Sequence, residues 1–174
     1  AGWFVADPKT PFEAAMGATV LPHLREVDPE TFLPSSRSVA FRKDAWERAE
    51  GYPEWLDFCE DLIFDFCLRD LSGPCAFAPE ATVHFRPRSS LRAFFKQYYQ
   101  YARGDGKAVL WRKRHTVRYL TYRVAGPGLV LLALFQSPWW WLVLLVGLAA
   151  YPGTPYRRLW PMLAPFGFWD RLKA

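Results

Sequence analysis

An α/β domain, followed by an amphipathic interface helix and a hydrophobic transmembrane hairpin, is the architecture this sequence predicts. Three observations carry the expectation. Over residues 1–110, short apolar runs bounded by Pro and Gly alternate with stretches of helical period. After Ser89-Ser90 comes a segment with apolar residues on one side and basic residues on the other. From Val124 to Tyr156 no residue is charged, and basic clusters flank the run at both ends. The regions that follow are the domain at 1–110, a basic juxtamembrane flank at 111–123, a transmembrane or re-entrant hairpin at 124–156 and a basic cytoplasmic tail at 157–174.

The first 34 residues are punctuated by Pro8, Pro11, Pro22, Pro29 and Pro34, too many for long regular elements. A short helix fits Phe12 to Val20, with Thr10 as N-cap and Pro11 at its first position. Ser35 to Phe41 reads as a loop entering a short strand, and Arg42 to Arg48 as a helix. Gly51-Tyr52-Pro53 then turns the chain.

The stretch from Asp57 to Asp70 predicts a helix with a carboxylate pair, Glu60-Asp61, in its first turn. Asp57 is placed as N-cap, and Glu60 completes a capping-box-like arrangement. Leu62, Ile63, Phe66, Cys67 and Leu71 recur at helical spacing and would face a core. Asp61, Asp65 and Arg69, at i, i+4 and i+8, would line a polar stripe. Gly73-Pro74 ends the helix. Near the positive end of the helix dipole a carboxylate is favoured in its ionised form, which is the form a general base needs. Acids in a first helical turn are also common on plain solvated faces, so the helix by itself does not decide.

Two apolar runs, Cys75–Ala78 and Thr82–Phe85, read as strands. Ser89 or Ser90 caps the amphipathic helix, which runs to about Arg103 before Gly104-Asp105-Gly106 breaks it. Its apolar stripe is Leu91, Phe94, Phe95, Tyr98 and Ala102. Beyond it, the charge-free run would measure about 50 Å as a single helix, against about 30 Å of bilayer hydrocarbon. Gln136-Ser137-Pro138 divides it, leaving a single kinked span or a hairpin. Basic flanks prefer the cytoplasmic side, so a hairpin that returns both flanks to one face is favoured. Trp139, Trp140 and Trp141 at the turn suit an interface belt.

A formal charge of +5 with 18% aromatic residues is compatible with nucleic acid, anionic lipid or a phosphate-bearing substrate. Nucleic acid ranks last, because the basic residues flank apolar sequence instead of forming a face of their own. Cys59, Cys67 and Cys75 make no metal-ligand pattern, and two of them fall on the apolar side of a helix, as buried reduced thiols in a cytoplasmic setting would. The chain opens Ala1-Gly2-Trp3 without a signal pattern, as a piece of a longer protein or a processed chain would.

Polar residues that could meet are Glu60 and Asp61, His84 on its strand, Arg37 among serines, and Gln100-x-x-Arg103. A lone strand His, a loop Arg and a helical Gln–Arg pair each have ordinary structural roles as well. In order and spacing, Ser38-Val39-Ala40-Phe41-Arg42-Lys43, Gly51-Tyr52-Pro53, Cys59-Glu60-Asp61-Leu62, Val83-His84-Phe85 and Gln100-x-x-Arg103-Gly104 resemble the second half of a family 2 glycosyltransferase domain. The resemblance covers about residues 1–110 and implies a GT-A fold of mixed α/β type.

It implies an inverting sugar transfer from a nucleotide-sugar donor to a hydroxyl of a lipid-linked or cell-envelope glycan, at the cytoplasmic face of the cell membrane. Asp61 would be the general base. Glu60, Gln100, Arg103, His84 and Arg37 would contact substrate, with Gln100 and Arg103 near the diphosphate and acceptor channel. The full-length enzyme would use Mg²⁺ or Mn²⁺, held by an Asp-x-Asp motif that this chain lacks, with His84 the one candidate ligand here. Gly104 stands where polymer-forming members carry Trp, which suits transfer of a single sugar. The competing expectation is a non-catalytic membrane-associated module that binds anionic lipid or a partner subunit through its basic helix and flank.

Overall fold

A computed structural model describes residues 1–167, in which helices surround one two-stranded sheet. Strands β1 (Trp3–Ala6) and β2 (Thr82–Phe85) pair in parallel, Trp3 opposite Thr82 and Ala6 opposite Phe85. Parallel neighbours require a crossover. Residues 7–81 supply it and contain α1 (Pro11–Val20), α2 (Lys43–Arg48) and α3 (Glu60–Ser72). The expected α/β domain is therefore corrected to a mostly helical one. The short strand expected at the end of 35–41 and the one at 75–78 are irregular chain, while Trp3–Ala6, passed over among the prolines, forms one.

The start of α1 is as expected: Pro11 opens the helix and Thr10 Oγ1 accepts the Glu13 N–H at 3.2 Å. Glu13 is fully buried, and its carboxylate accepts from Arg86 Nη2 at 2.9 Å and from the Lys9 N–H at 2.7 Å. The Arg86 bond, set against desolvation, holds the Glu13 carboxyl below its ordinary value. Arg86 thus joins the end of β2 to α1.

Helix α3 departs from its predicted geometry. It begins at Glu60, after Cys59 in a left-handed conformation (φ 66°), so Asp57 is not its cap. Its core face is Phe64 and Leu68, packed on Ala45 and Ala49 of α2, with Phe41 and Tyr52 ring centroids 4.9 and 4.7 Å from that of Phe64. Cys67 and Leu71 are exposed instead, and Asp65, expected on a solvated stripe, is 2% exposed. Apolar residues occupy more than one side of this helix, so its period alone could not say which side α2 would cover. Of the three thiols only Cys59 is fully buried.

Helix α4 (Leu91–Lys107) is capped by Ser90, whose Oγ accepts the Ala93 N–H at 3.3 Å. It runs through Gly104-Asp105-Gly106 instead of ending there. A Cβ on Gly104 would lie 2.5 Å from the Phe58 carbonyl oxygen and 2.8 Å from Cys59 Sγ. Glycine here permits close approach of α4 to the start of α3; it is not a helix stop. On α4 the predicted apolar stripe is largely uncovered, with Leu91 67% and Phe95 71% exposed.

Helices α5 (Arg112–Leu120) and α6 (Gly126–Phe135) join through a π turn at Thr121–Ala125. α7 (Trp139–Ala150) folds back on α6 across Gln136–Pro138, where Trp140 Nε1 donates to Gln136 Oε1 at 3.1 Å. Among the described residues no helix is long and apolar enough to cross a membrane, which overturns the expected transmembrane hairpin. The apolar arms have 10 and 12 residues. At 1.5 Å per residue they reach about 15 and 18 Å, well short of a hydrocarbon core of about 30 Å. The rod that continues α6 backwards is charged at Arg112, Lys113, Arg114, Arg118 and Arg123.

The predicted basic tail is a folded element as far as it is described. α8 (Gly153–Met162) lies along α1, burying Leu159 and Leu163 against Ala14 and Ala18, and Arg158 Nε pairs with Glu26 Oε2 at 2.9 Å. The remainder of that tail, residues 168–174, lies outside the described residues.

Candidate functional site

Two clefts share Asp61. The first, of about 280 Å³, is polar, and Arg37, Glu60, Arg88, Gln97 and Gln100 line it. The second, of about 390 Å³, runs between α3, α4 and the start of α5, with Leu62, Tyr98, Tyr101 and Trp111 on its walls and Arg114, His115 and Arg118 beside them. Ser35, Cys59 and Tyr101 also belong to both.

The left-handed turn at Cys59 brings the chain into α3 so that Glu60 and Asp61 occupy the first helical turn. Asp61 Oδ1 accepts the Leu62 N–H at 3.0 Å, and the residue is half-buried. Four of the sequence-derived site residues therefore meet at one cleft: Asp61, Glu60, Gln100 and Arg37. Arg37 also lies over the Phe85 ring, 5.6 Å from its centroid, which ties the serine loop to β2. Arg103 stands at the rim. Its guanidinium is 3.7 Å from Asp57 Oδ2, and Lys107 Nζ is 3.2 Å from the same oxygen. Asp57, displaced from its expected capping role, is in this way the anchor for two α4 cations. His84 is on β2 opposite Val5 and lines neither cleft. Among the described residues no three His, Cys, Asp or Glu side chains gather to hold a metal ion.

A chain of polar contacts supports the second cleft. Cys59 Sγ donates toward the Tyr101 carbonyl at 3.5 Å and toward Asp105 Oδ1 at 3.6 Å. Asp105 Oδ2 is 3.2 Å from His115 Nε2. Burial, and then the neighbouring Asp105 carboxylate, push the Cys59 thiol up to about 12, so it is a protonated donor and not a nucleophile. No protein-family model, curated protein or solved structure matches this chain.

The walls define the chemistry available. Arg37, Arg88, Gln97 and Gln100 line the polar cleft; Arg88 Nε donates to Gln97 Oε1 at 2.8 Å and Gln97 Nε2 to the Tyr101 hydroxyl at 2.7 Å, and the Arg37 guanidinium and Gln100 amide suit phosphate and sugar oxygens. Asp61 is an acceptor placed between that cleft and the aromatic one. The sequence reading does not assign Arg88, Gln97, Asp105, Trp111, Arg114, His115 or Arg118 to a site; it takes Arg88 as a surface charge and Arg114 and Arg118 as part of the basic flank. Asp105 was hidden inside an apparent helix break, and Arg114 to Arg118 inside an apparent juxtamembrane flank. The one available signal was the Asp105/His115 pair bracketing a basic, Trp-containing stretch.

Proposed function

We propose that this chain forms the acceptor side of an inverting glycosyltransferase, with Asp61 as its general base. An acceptor hydroxyl attacks the anomeric carbon of a nucleotide-sugar, the bond to the nucleoside diphosphate breaks, and the hydroxyl proton passes to the Asp61 carboxylate. The observation that carries this reading is the position of Asp61 on the wall common to both clefts, where a base must stand between a donor and an acceptor. A positioned base of this kind contributes about 10²–10⁴-fold to the rate. Gln100 and Arg37 serve the donor side in this scheme, with Glu60 beside the base and Arg103 at the rim. A divalent metal on the donor diphosphate would take its ligands from residues outside this chain, which contains no Asp-x-Asp.

The test is Asp61→Asn in the full-length protein. Transfer should fall at least a hundredfold while donor binding is retained; unchanged turnover would remove Asp61 from the role.

A second reading, association with an anionic membrane surface, is favoured by one observation on α4. Leu91, Phe95 and Tyr99 (62% exposed) form a solvent-facing apolar row beside the exposed Arg92 and Lys96. Each basic residue near such a surface is worth about 1 kcal/mol. The two readings are compatible, since an enzyme acting on a lipid-linked acceptor works at a membrane surface. Salt-sensitive binding to vesicles containing anionic lipid, lost on Phe95→Ser with Lys96→Gln, is the expected result. Equal binding to neutral vesicles would sink it.

A further inference from the structure

We infer that the aromatic cleft beside Asp61 is a phosphate-binding site, built by Arg114, His115 and Arg118, that receives a phosphate borne on an apolar chain. The inference rests on the reading of Asp61 as a base only in calling that ligand the acceptor; the site itself stands on its own residues. Arg114 and Arg118 are one helical turn apart on α5, so both face the same cleft. Among the described residues neither has a carboxylate within ion-pair distance, although Asp61 and Asp105 line the same space. Asp105 is committed elsewhere: it accepts from Cys59 and holds His115 Nε2 at 3.2 Å, which fixes the ring within the cleft. Uncommitted guanidinium groups beside a fixed imidazole are a donor set for phosphate oxygens.

The opposite walls are of another kind. Tyr98, Tyr101, Trp111 and Leu62 give the cleft aromatic and aliphatic surface, which a free inorganic anion would not use. Cations on one side and rings on the other fit an amphiphile with a phosphate head. The polar cleft across Asp61, with its glutamines and arginines, fits sugar and diphosphate oxygens better. Phosphate could also arrive as the donor's diphosphate, so the two sources must be separated by experiment.

The full chain, in a neutral detergent, is titrated with octyl phosphate, with the neutral octyl glucoside and with uridine diphosphate plus Mg²⁺. Octyl phosphate should bind and octyl glucoside should not. Removing charge-assisted bonds to phosphate by Arg114→Gln or Arg118→Gln should weaken octyl phosphate about tenfold or more, with partial recovery in Arg118→Lys. Glu30→Gln, at an exposed position outside the cleft, should bind as the parent does. If uridine diphosphate, and not octyl phosphate, loses affinity in the arginine variants, the phosphate site stands but its ligand is the donor, which overturns the acceptor assignment. If neither ligand responds, the site is refuted. A protein in which octyl phosphate binds as described but Asp61→Asn leaves transfer intact would keep this site and lose the proposed base, so the two failures are distinguishable.

Discussion

The Asp61 clefts and the paired helices α6 and α7 are built on opposite terms. Around Asp61 a set of polar groups is tied together, Cys59 to Asp105, Asp105 to His115, Asp57 to Arg103 and Lys107, with Arg114 and Arg118 left without a carboxylate partner among the described residues. Side chains there come from elements far apart in the chain, and a glycine is needed where α4 meets Cys59. In α6 and α7 there is no charged side chain, and Phe135 and Trp139 are 83% and 76% exposed. Position matters in the first region to within an ångström; in the second, composition matters more than any one residue.

Substitutions should divide along the same line. On the proposed reading the largest effect belongs to Asp61→Asn, about 10²–10⁴-fold in transfer. Retained donor binding would locate that loss in chemistry.

Next comes Asp65, buried on the same helix with Oδ2 unpartnered. Burial, and secondarily the Asp61 charge, push its carboxyl up from 3.8 to about 7. Between about pH 4 and pH 7 the folded state holds a proton that the unfolded chain has released, so stability falls as pH rises through that window and levels off above it. Every tenfold difference in proton affinity between the two states corresponds to about 1.4 kcal/mol. Asp65→Asn should therefore be more stable than the parent at pH 8, with the advantage gone near pH 4, as read by urea midpoints at both pH values. A parallel pH dependence in parent and variant would contradict this.

Gly104→Ala should cost about 1–3 kcal/mol, because the new Cβ meets backbone at the Phe58 carbonyl and one helix must shift. Melting temperature checks it, and octyl phosphate affinity should drop with it as the cleft distorts.

Lys107→Ala removes an exposed contact to Asp57 and should change stability by about 0.2–1 kcal/mol. Smallest of all is Leu145→Gln on α7, where the side chain is 59% exposed. Its effect on folding, read as a urea midpoint, should stay within about 0.5 kcal/mol. A large loss of stability there would erase the distinction between the two regions.

The sequence determined local features that depend on neighbours a few residues away. Thr10 and Pro11 start one helix and Ser90 starts another because a cap needs only its own backbone donors. The Glu60-Asp61 pair at the head of a helix, and the turn at Gln136–Pro138, were legible for the same reason. Tertiary structure decided everything that needed a distant partner. It set which side of α3 is core, and so buried Asp65 while leaving Leu71 in solvent. Gly104, a breaker in sequence, became a contact with Cys59, and the apparent spanning segment became two short arms with α8 returning to α1. His84 was left outside both clefts, and Arg114, His115 and Arg118 were brought into one of them. Hydrophobic period and capping are local and show in one dimension. The face a helix buries, and the cleft it completes, depend on what packs against it.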